Sequence, residues 1–561
     1  MPYTAPLTEF RFLLNHVVGF GQVAATTRFA DASPETVEAI LVEAGRLCSE
    51  VLAPLQRSGD KHPARLENGV VRTSPGFAEG YRAIVEGGWV GISADPAFGG
   101  LGLPISLASC LNDMMASACL SLQINPLMTQ GQIEALEHHA SDAVKAVYLP
   151  KLISGEWCGT MNLTEPQAGS DVGALRTKAE PNGDGTYAVT GQKIYISWAD
   201  NDFTANVCHL VLARLPDAAA GAKGISLFMV PKIIPDAEGR LGARNGLKVV
   251  SLEHKLGLHG SPTAVMQYDA ATGWLIGEPN RGMAAMFTMM NNARLGVGVQ
   301  GVGVAEAATQ AALAYALGRN QGKTPFGATA IFDHADVRRM LGVMRAETFA
   351  ARSIALSCAV AIDMGNATGD VAWQARAALL TPIAKAYGTD VGCEVAQMGV
   401  QVHGGMGFIE ETGAAQYARD VRVTAIYEGT NGIQAMDLVG RKMMDGGAAA
   451  FALLDEVAGA VGPADLVADL VAAGAALRAA TEALVAQEMN DRFAGAVPYL
   501  RAFARVLGAH FHLMAAAAEP AREPLARMYV KRLLPEHAGL LAQVREGAAG
   551  LYALDALALS A

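Results

Sequence analysis

"GTYAVTGQKIYISW", residues 185–198, is where the chain stops reading as helix. β-branched and aromatic residues crowd it, and "PNGDGT", residues 181–186, leads into it. Four more short β-rich runs follow: "NVCHLVLARL" (206–215), "GISLFMVPK" (224–232), "GLKVVSL" (246–252) and "TAVMQYDA" (263–270). Gly, Asp, Asn and Pro separate them, as in "SPT" at 261–263. Short runs set off by turn residues predict an antiparallel sheet or small barrel over residues 159–282.

Both flanks read as helix. Ser33-Pro34-Glu35 is a helix start: a capping hydroxyl, Pro in the first turn, then an acid. "PETVEAILVEAGRLCSEVLAPL" (34–55) has apolar residues at helical spacing, and helical character returns after the loop "SADPAFGGLGLP" (93–104). Residues 283–445 are Ala-, Met- and Leu-rich with helical periodicity. The tail continues in the same way, as in "DLVADLVAAGAALRAATEALVAQEMNDRF" (465–493). The expected class is mainly α with a central β domain. Five regions are expected: an N-terminal extension 1–32, a helical domain 33–158, a β domain 159–282, a helical bundle 283–445 and an extra helical region 446–561.

The 561 residues are too many for one core. With 51% hydrophobic and 17% charged residues the chain is globular rather than disordered. An acidic excess of 54 − 43 = 11 argues against a nucleic-acid surface. Cys48, Cys110, Cys119, Cys158, Cys208, Cys358 and Cys393 are scattered without a CxxC pair, and read as reduced thiols in a cytoplasmic compartment. The opening "MPYTAPLTEFRFLLNHVVGFGQ" does not read as a secretory signal. "LGVGVQGVGVAEAATQAALAYALG" (295–318), interrupted by Gln300, Glu306 and Gln310, reads as a buried bundle helix, not a membrane span.

Several motifs invite chemistry. "GVGVQG" (296–301) matches G-x-G-x-x-G, but no strand precedes it, so close helix packing is the better reading. His138-His139 and His254 with His259 lack the companions of a metal site. "MNLTEPQAGSDVGALRTKA" (161–179) is a polar, bent loop that fits either a capped turn or a cradle for a planar ligand or phosphate. "QVHGGMGF" (401–408) fits a helix end or a close backbone approach to a ligand. In "YEGTNGIQ" (427–434), Glu428 stands alone among apolar helix formers. The residues leave two readings open: a solvated Glu at a helix start, or a desolvated carboxylate with a raised pKa, suited to proton abstraction.

Taken together, "LTEPQAGSD", "GQKIYIS", "QVHGGMGF" and "YEGTNGIQ" resemble the acyl-CoA dehydrogenase family of flavoproteins in order and spacing, over most of residues 35–445. Length, the extra C-terminal helices and "MFTMMNNARLGVGVQGVG" resemble its long bacterial subgroup, which includes 3-methylmercaptopropionyl-CoA dehydrogenase. The resemblance implies a helical domain, a β-barrel and a four-helix bundle with an appended helical region, FAD as cofactor and Glu428 as base. The base would take the α-proton of an acyl-CoA while a hydride leaves the β-carbon for the flavin, giving a trans-2-enoyl-CoA. FAD contacts would come from Leu163, Thr164, Ser170, Tyr195, Ile196, Ser197, Thr430 and Asn431. Arg319, Phe326, Gln401, Gly404 and Gly405 would reach the cofactor across a subunit interface. Ser170, Asn291, Arg294, Glu428 and Gly429 would meet the thioester. Tyr195, Ser197, His403 and Asn291 replace the family's usual Trp, Thr, Phe and acid, and "NQGKTP" (320–325) is inserted between Arg319 and Phe326. The resemblance also implies a homodimer or dimer of dimers, electron transfer to an electron-transfer flavoprotein, and no nucleic-acid, membrane or metal partner. The substrate would be a short or medium acyl-CoA, 3-methylmercaptopropionyl-CoA among them. Two other readings stand beside it: a flavin-bearing, DNA-binding alkylation-response relative with a basic C-terminal face, and an acyl-CoA oxidase.

Overall fold

The computed structural model describes residues 3–560; residues 1, 2 and 561, at the edges of the first and last expected regions, lie outside the described residues. The expected helix start at residue 33 forms: the Ser33 hydroxyl accepts from the Thr36 N–H at 3.2 Å and the helix runs Pro34–Arg46. The helical reading of 33–158 needs one correction. A hairpin, Arg65–Glu67 with Val70–Arg72, interrupts it, turning at Asn68-Gly69, where both residues take positive φ (50° and 76°). Asn-Gly supplies the left-handed pair that a two-residue hairpin needs. The long helix Ile105–His139 then crosses the domain, with its helical geometry broken at Cys119 (φ −156°, ψ 87°).

Besides a separate two-stranded sheet, Ile233–Pro235 with Leu241–Arg244, the β domain has a main sheet of seven strands. Their spatial order is Trp157–Asn162, Asn206–Ala213, Ser226–Pro231, Thr263–Ile276, Tyr187–Ser197 and Lys178–Pro181, with Leu247–Leu252 also paired to Thr263–Ile276. Val189, Ile196, Val211, Phe228, Met266 and Tyr268 fill its interior. The far edge curls back: Ala179 N–H donates to Arg214 O at 2.8 Å and Arg214 N–H to Thr177 O at 2.9 Å. The ladders are antiparallel except one, because Trp157–Asn162 and Asn206–Ala213 run parallel. The long connection through the intervening hairpin makes that pairing possible.

Three long helices, Gly282–Gly318, Ala335–Thr368 and Val371–His403, form the bundle. Two short helices, Ala414–Val421 and Asn431–Val439, take its fourth position, and the break between them carries Glu428. The helices Ile105–His139 and Ala335–Thr368 are long and apolar enough to cross a membrane, but 94% of each apolar window is buried inside the protein. "GVGVQG" is helical, and its glycines are contact points. A Cβ on Gly298 would lie 2.5 Å from Ala384 O, and one on Gly301 2.2 Å from Gly388 O. Gly388 and Gly392 return the approach against Gly298 O and Gly301 O. The first and third bundle helices therefore meet backbone to backbone. This sets the position of the third helix, which carries a buried lysine used below.

C-terminal helices, among them Ala464–Ala486 and Ala496–Ala518, pack on the bundle. A buried polar cluster holds them: Arg505 pairs with Glu347 and Glu536, and the Tyr387 hydroxyl donates to Glu347 Oε2 at 2.5 Å and meets the Tyr529 hydroxyl at 3.0 Å. Gly301→Val pushes the two bundle backbones apart; thermal melting should register a loss of at least about 2 kcal/mol, while Gly539→Val, on an exposed helical position with nothing within 4 Å of a Cβ, should cost less.

Candidate active site

Glu428 lies in a backbone conformation that L-residues avoid. Its φ is +56° and that of Gly429 is +83°. A left-handed non-glycine residue costs about 1–2 kcal/mol and persists only where its surroundings fix it. Here the Gln434 amide donates to Glu428 O at 3.0 Å, and Lys385 Nζ donates to Gly429 O at 2.8 Å. A Cβ on Gly429 would come within 2.8 Å of the Gln434 amide nitrogen, so glycine is required there. Thr430 caps the next helix by accepting from Ile433 N–H. Tyr427, on the other side, donates to Gln300 Oε1 at 2.5 Å; Gln300 donates to Gln123 at 2.7 Å, and Gln123 to Asn112 at 3.0 Å.

The carboxylate is half-buried, with one oxygen withdrawn from water. Glu428 Oε2 is buried and has no hydrogen-bond partner. Burial raises its pKa to about 7, against the pull of Arg294 and then Lys385. Arg294 is itself buried, held by Asp437 at 3.5 Å and Asn291 at 3.5 Å, with its Nε unpartnered. Lys385 is wholly buried, and burial lowers its pKa to about 8. Asn291 and Arg294 line a cavity of about 240 Å³ between the bundle helices, with Gln374, Thr381, Asp437 and Lys442 on its walls.

The "LTEPQAGSD" loop is anchored from below. Glu165 and Lys193 form a fully buried ion pair at 2.8 Å, and Lys193 also donates to Leu163 O at 2.9 Å. Burial alone would raise the Glu165 pKa, but Lys193, Thr177 and the Arg176 N–H bring it down to about 2. Ile194 N–H bonds Thr164 O at 2.9 Å, tying the loop to strand Tyr187–Ser197. Ser170 is exposed and Ser197 half-buried. Tyr195 has φ +62° and is 60% exposed, while the Ile196 side chain points into the β-domain core. One stretch of the helix Ile105–His139 joins this surface to the base. The Trp198 indole donates to Ser121 O at 3.1 Å, and Gln123 two residues on leads to Gln300 and Tyr427.

The remaining predicted residues lie elsewhere. Tyr315 and His403 stack at 4.4 Å, which joins the ends of the first and third bundle helices, so Arg319, Gln401, Gly404 and Gly405 share one exposed end. The inserted residues form a loop closed by Gln321 N–H to Thr329 O at 2.9 Å and Ile331 N–H to Arg319 O at 2.8 Å. Phe326 sits in that loop, 96% exposed.

Family models match the chain in consecutive segments: acyl-CoA dehydrogenase N-terminal domain over 34–156, middle domain over 160–271 and C-terminal domain over 280–444. A further model, acetyl-CoA dehydrogenase C-terminal like, matches 448–555. The chain belongs to the acyl-CoA dehydrogenase family. It is 46% identical to the 3-methylmercaptopropionyl-CoA dehydrogenase of Ruegeria pomeroyi, over 89% of this chain and 88% of that one. Its fold matches Caenorhabditis elegans ACDH-11 in complex with C11-CoA (TM-score 0.78, 21% identity, 95% and 92% of the chains). It also matches an acyl-CoA dehydrogenase complexed with FAD from Bacillus anthracis (TM-score 0.74, 20% identity, 95% and 91% of the chains).

Within this acyl-CoA dehydrogenase fold, Glu428, Gly429, Thr430, Arg294 and Asn291 gather around one turn. Asn431 joins them, but its amide is engaged by the third bundle helix: it donates to Ala386 O, Thr389 Oγ1 and Asp390 Oδ1 at 3.2, 3.0 and 2.7 Å. Sequence reasoning did not single out Lys385, Gln434 or the Glu165–Lys193 pair. The signal for Lys385 is a lone cation in the apolar helical run "AALLTPIAKAYG" (377–388).

The Glu165 carboxylate lies below its ordinary range, so the stability it adds is full above about pH 4.5 and lost as pH falls toward 2. Glu165→Gln leaves Lys193 buried without its anion. Urea unfolding at neutral pH should fall by about 3 kcal/mol, and the acid-side decline in stability should flatten relative to wild type.

Proposed function

We propose that this chain is an FAD-dependent acyl-CoA dehydrogenase in which Glu428 removes the α-proton of a short acyl-CoA, such as 3-methylmercaptopropionyl-CoA. The observation that carries the reading is the buried, unpartnered Oε2 of Glu428 on a left-handed turn, with a pKa near 7. A base working at neutral pH needs a carboxylate in that range. The Glu428 N–H makes no hydrogen bond among the described residues, so it is free to donate to the thioester carbonyl oxygen as enolate charge builds there. Arg294 keeps the carboxylate in its ionised form, and the Arg294–Asn291 cavity offers room for the CoA arm. Identity to the Ruegeria pomeroyi enzyme along nearly the whole of both chains supports the thioester class.

The residues present fit FAD. An aromatic ring 60% exposed on a left-handed residue, Tyr195, is an unfavourable arrangement that a planar ring lying on it would relieve. Thr164, Ser197, Ser170 and Thr430 supply hydroxyls, and Leu163 supplies backbone, on the surface that Ser121–Gln123 joins to the base. When bound, FAD supplies the acceptor for the hydride from the β-carbon. Glu428, Tyr427 and Arg294 then have only to hold the thioester, exclude water and take one proton.

We read the protein as a homodimer or a dimer of dimers. Leu317, Phe326, Met406, Phe408 and Ile409 are 56%, 96%, 46%, 86% and 44% exposed around the helix ends that carry Arg319, Gln401, Gly404 and Gly405. Exposed apolar side chains on these helix ends fit an interface, which would let one subunit's Arg319 and Gln401 reach its partner's FAD. The proposal includes an electron-transfer flavoprotein as acceptor and a cytoplasmic location, the latter in keeping with free, mostly buried thiols. The DNA-binding reading is disfavoured. Of the tail cations, Arg501, Arg505, Arg522, Arg527 and Lys531 are paired with carboxylates, while Arg532 is exposed without an ion pair among the described residues; one such cation does not make a basic face.

Glu428→Gln should retain FAD and bind acyl-CoA but lose flavin bleaching by at least about a thousandfold, scored with a panel of thioesters. Bleaching by the unaltered protein should rise with pH through about 7, the limb set by Glu428. Peroxide release at the turnover rate would replace the dehydrogenase with an oxidase. Phe408→Asp together with Phe326→Asp should shift sedimentation toward the monomer and weaken FAD retention.

A further inference from the structure

Lys385 takes no part in proton removal, yet its side chain is fully buried beside the base. We propose that Lys385 is the positioning residue for Glu428: it pins the left-handed turn through the Gly429 carbonyl and keeps the carboxylate ionised between turnovers. This rests on the reading of Glu428 as the base.

The first half of the role is geometric. Lys385 Nζ donates to Gly429 O at 2.8 Å and to Asn431 Oδ1 at 2.9 Å. Asn431 bonds back to Ala386, Thr389 and Asp390, so one stretch of the third bundle helix grips both ends of the turn. The helix is held in place by the glycine contacts at Gly298, Gly301, Gly388 and Gly392. The position of the base is thus tied to the backbone-to-backbone contact between the first and third bundle helices.

The second half follows from the choice of a cation. Both acceptors of Lys385 are neutral, so an amide would serve for hydrogen bonding alone. A buried ammonium is unfavourable unless an anion compensates it. The charged and titratable groups facing it are Asp390 and Cys393 on its own helix, Glu428 on the turn and Arg294 on the first bundle helix. Asp390 accepts from Asn431 and is raised by its own burial. Cys393 is raised to about 11 and stays neutral. Arg294 is a cation that shares Asp437, 3.5 Å away, with Arg441. Glu428 and Asp390 are the anions facing it, and Glu428 is the larger of the two in sustaining the Lys385 ammonium. The dependence is mutual. When Glu428 accepts a proton, Lys385 and Arg294 both lose part of their compensation, which drives the proton back out and resets the base.

The test follows flavin bleaching by one short acyl-CoA across pH in FAD-loaded protein, with FAD content and melting temperature measured alongside. Lys385→Met removes the charge and the bonds. Lys385→Gln removes the charge but keeps a donor toward Gly429 O. Gln434→Met removes a bond to the same turn without touching charge. The acid limb of the rate should move up by about one pH unit, about tenfold slower below it, in both Lys385 variants. It should stay in place in Gln434→Met, which only slows the reaction, and Lys385→Arg should return it toward wild type. If Lys385→Met fails to fold, Lys385→Gln and Lys385→Arg carry the comparison. A uniform loss of rate with the limb unmoved in Lys385→Gln overturns the proposal. Glu428→Gln separates the two readings: if it still bleaches, the base assignment falls and Lys385 with it, whereas an inert Glu428→Gln beside an unmoved Lys385→Gln limb removes only the role given to Lys385.

Discussion

A carboxylate with one oxygen buried and given no hydrogen-bond donor is an unfavourable group to maintain, and the fold around Glu428 maintains one. It does so by placing two buried cations, Arg294 and Lys385, near enough to offset the charge without capping the oxygen that must accept a proton. A direct salt bridge would hold the carboxylate more firmly but would leave it too weak a base. Proximity without contact keeps the pKa near 7.

The strained turn is the structural side of the same constraint. Glu428 and Gly429 in left-handed conformation interrupt what would otherwise be the fourth bundle helix, and the interruption turns the side chain and its N–H to one place. The Gln434 and Lys385 donors hold the turn, the glycine seam between the first and third helices holds Lys385, and the amide series from Tyr427 to Asn112 ties the base to the N-terminal helix. Elsewhere the same rule recurs. Glu165 with Lys193 under the β-domain loop, and Glu347 with Arg505 and Tyr387 under the C-terminal helices, are buried charges answered by charges and saturated with hydrogen bonds.

The order of helices, β domain and helices is legible in the sequence because it is written locally, in turn residues around β-branched runs and in helical periodicity. The Asn68-Gly69 hairpin was equally local and was overlooked within an otherwise helical stretch. The parallel pairing of Trp157–Asn162 was not legible, since nothing in a strand names its neighbour. The site divides in the same way. Glu428 was picked out by motif resemblance, whereas its residues alone left a solvated helix start and a desolvated base both open, because the packing that buries it, and the cations Arg294 and Lys385 that oppose the effect of burial, come from segments distant in sequence. The resemblance makes Asn431 a flavin contact, and its side-chain amide also bonds the third helix, a role the motif does not announce. Lys385 has no motif of its own; its meaning lies in which carbonyl it reaches.

The central claim is that this carboxylate, with one oxygen buried and unpartnered, titrates near neutrality. Infrared difference spectra over a pH series, with Glu428→Gln subtracted, read it without any turnover. A protonated-carboxyl band that disappears as pH rises through about 7 is the predicted result. A band that has already gone above about pH 4.5, the range of a solvated Glu, would contradict the account.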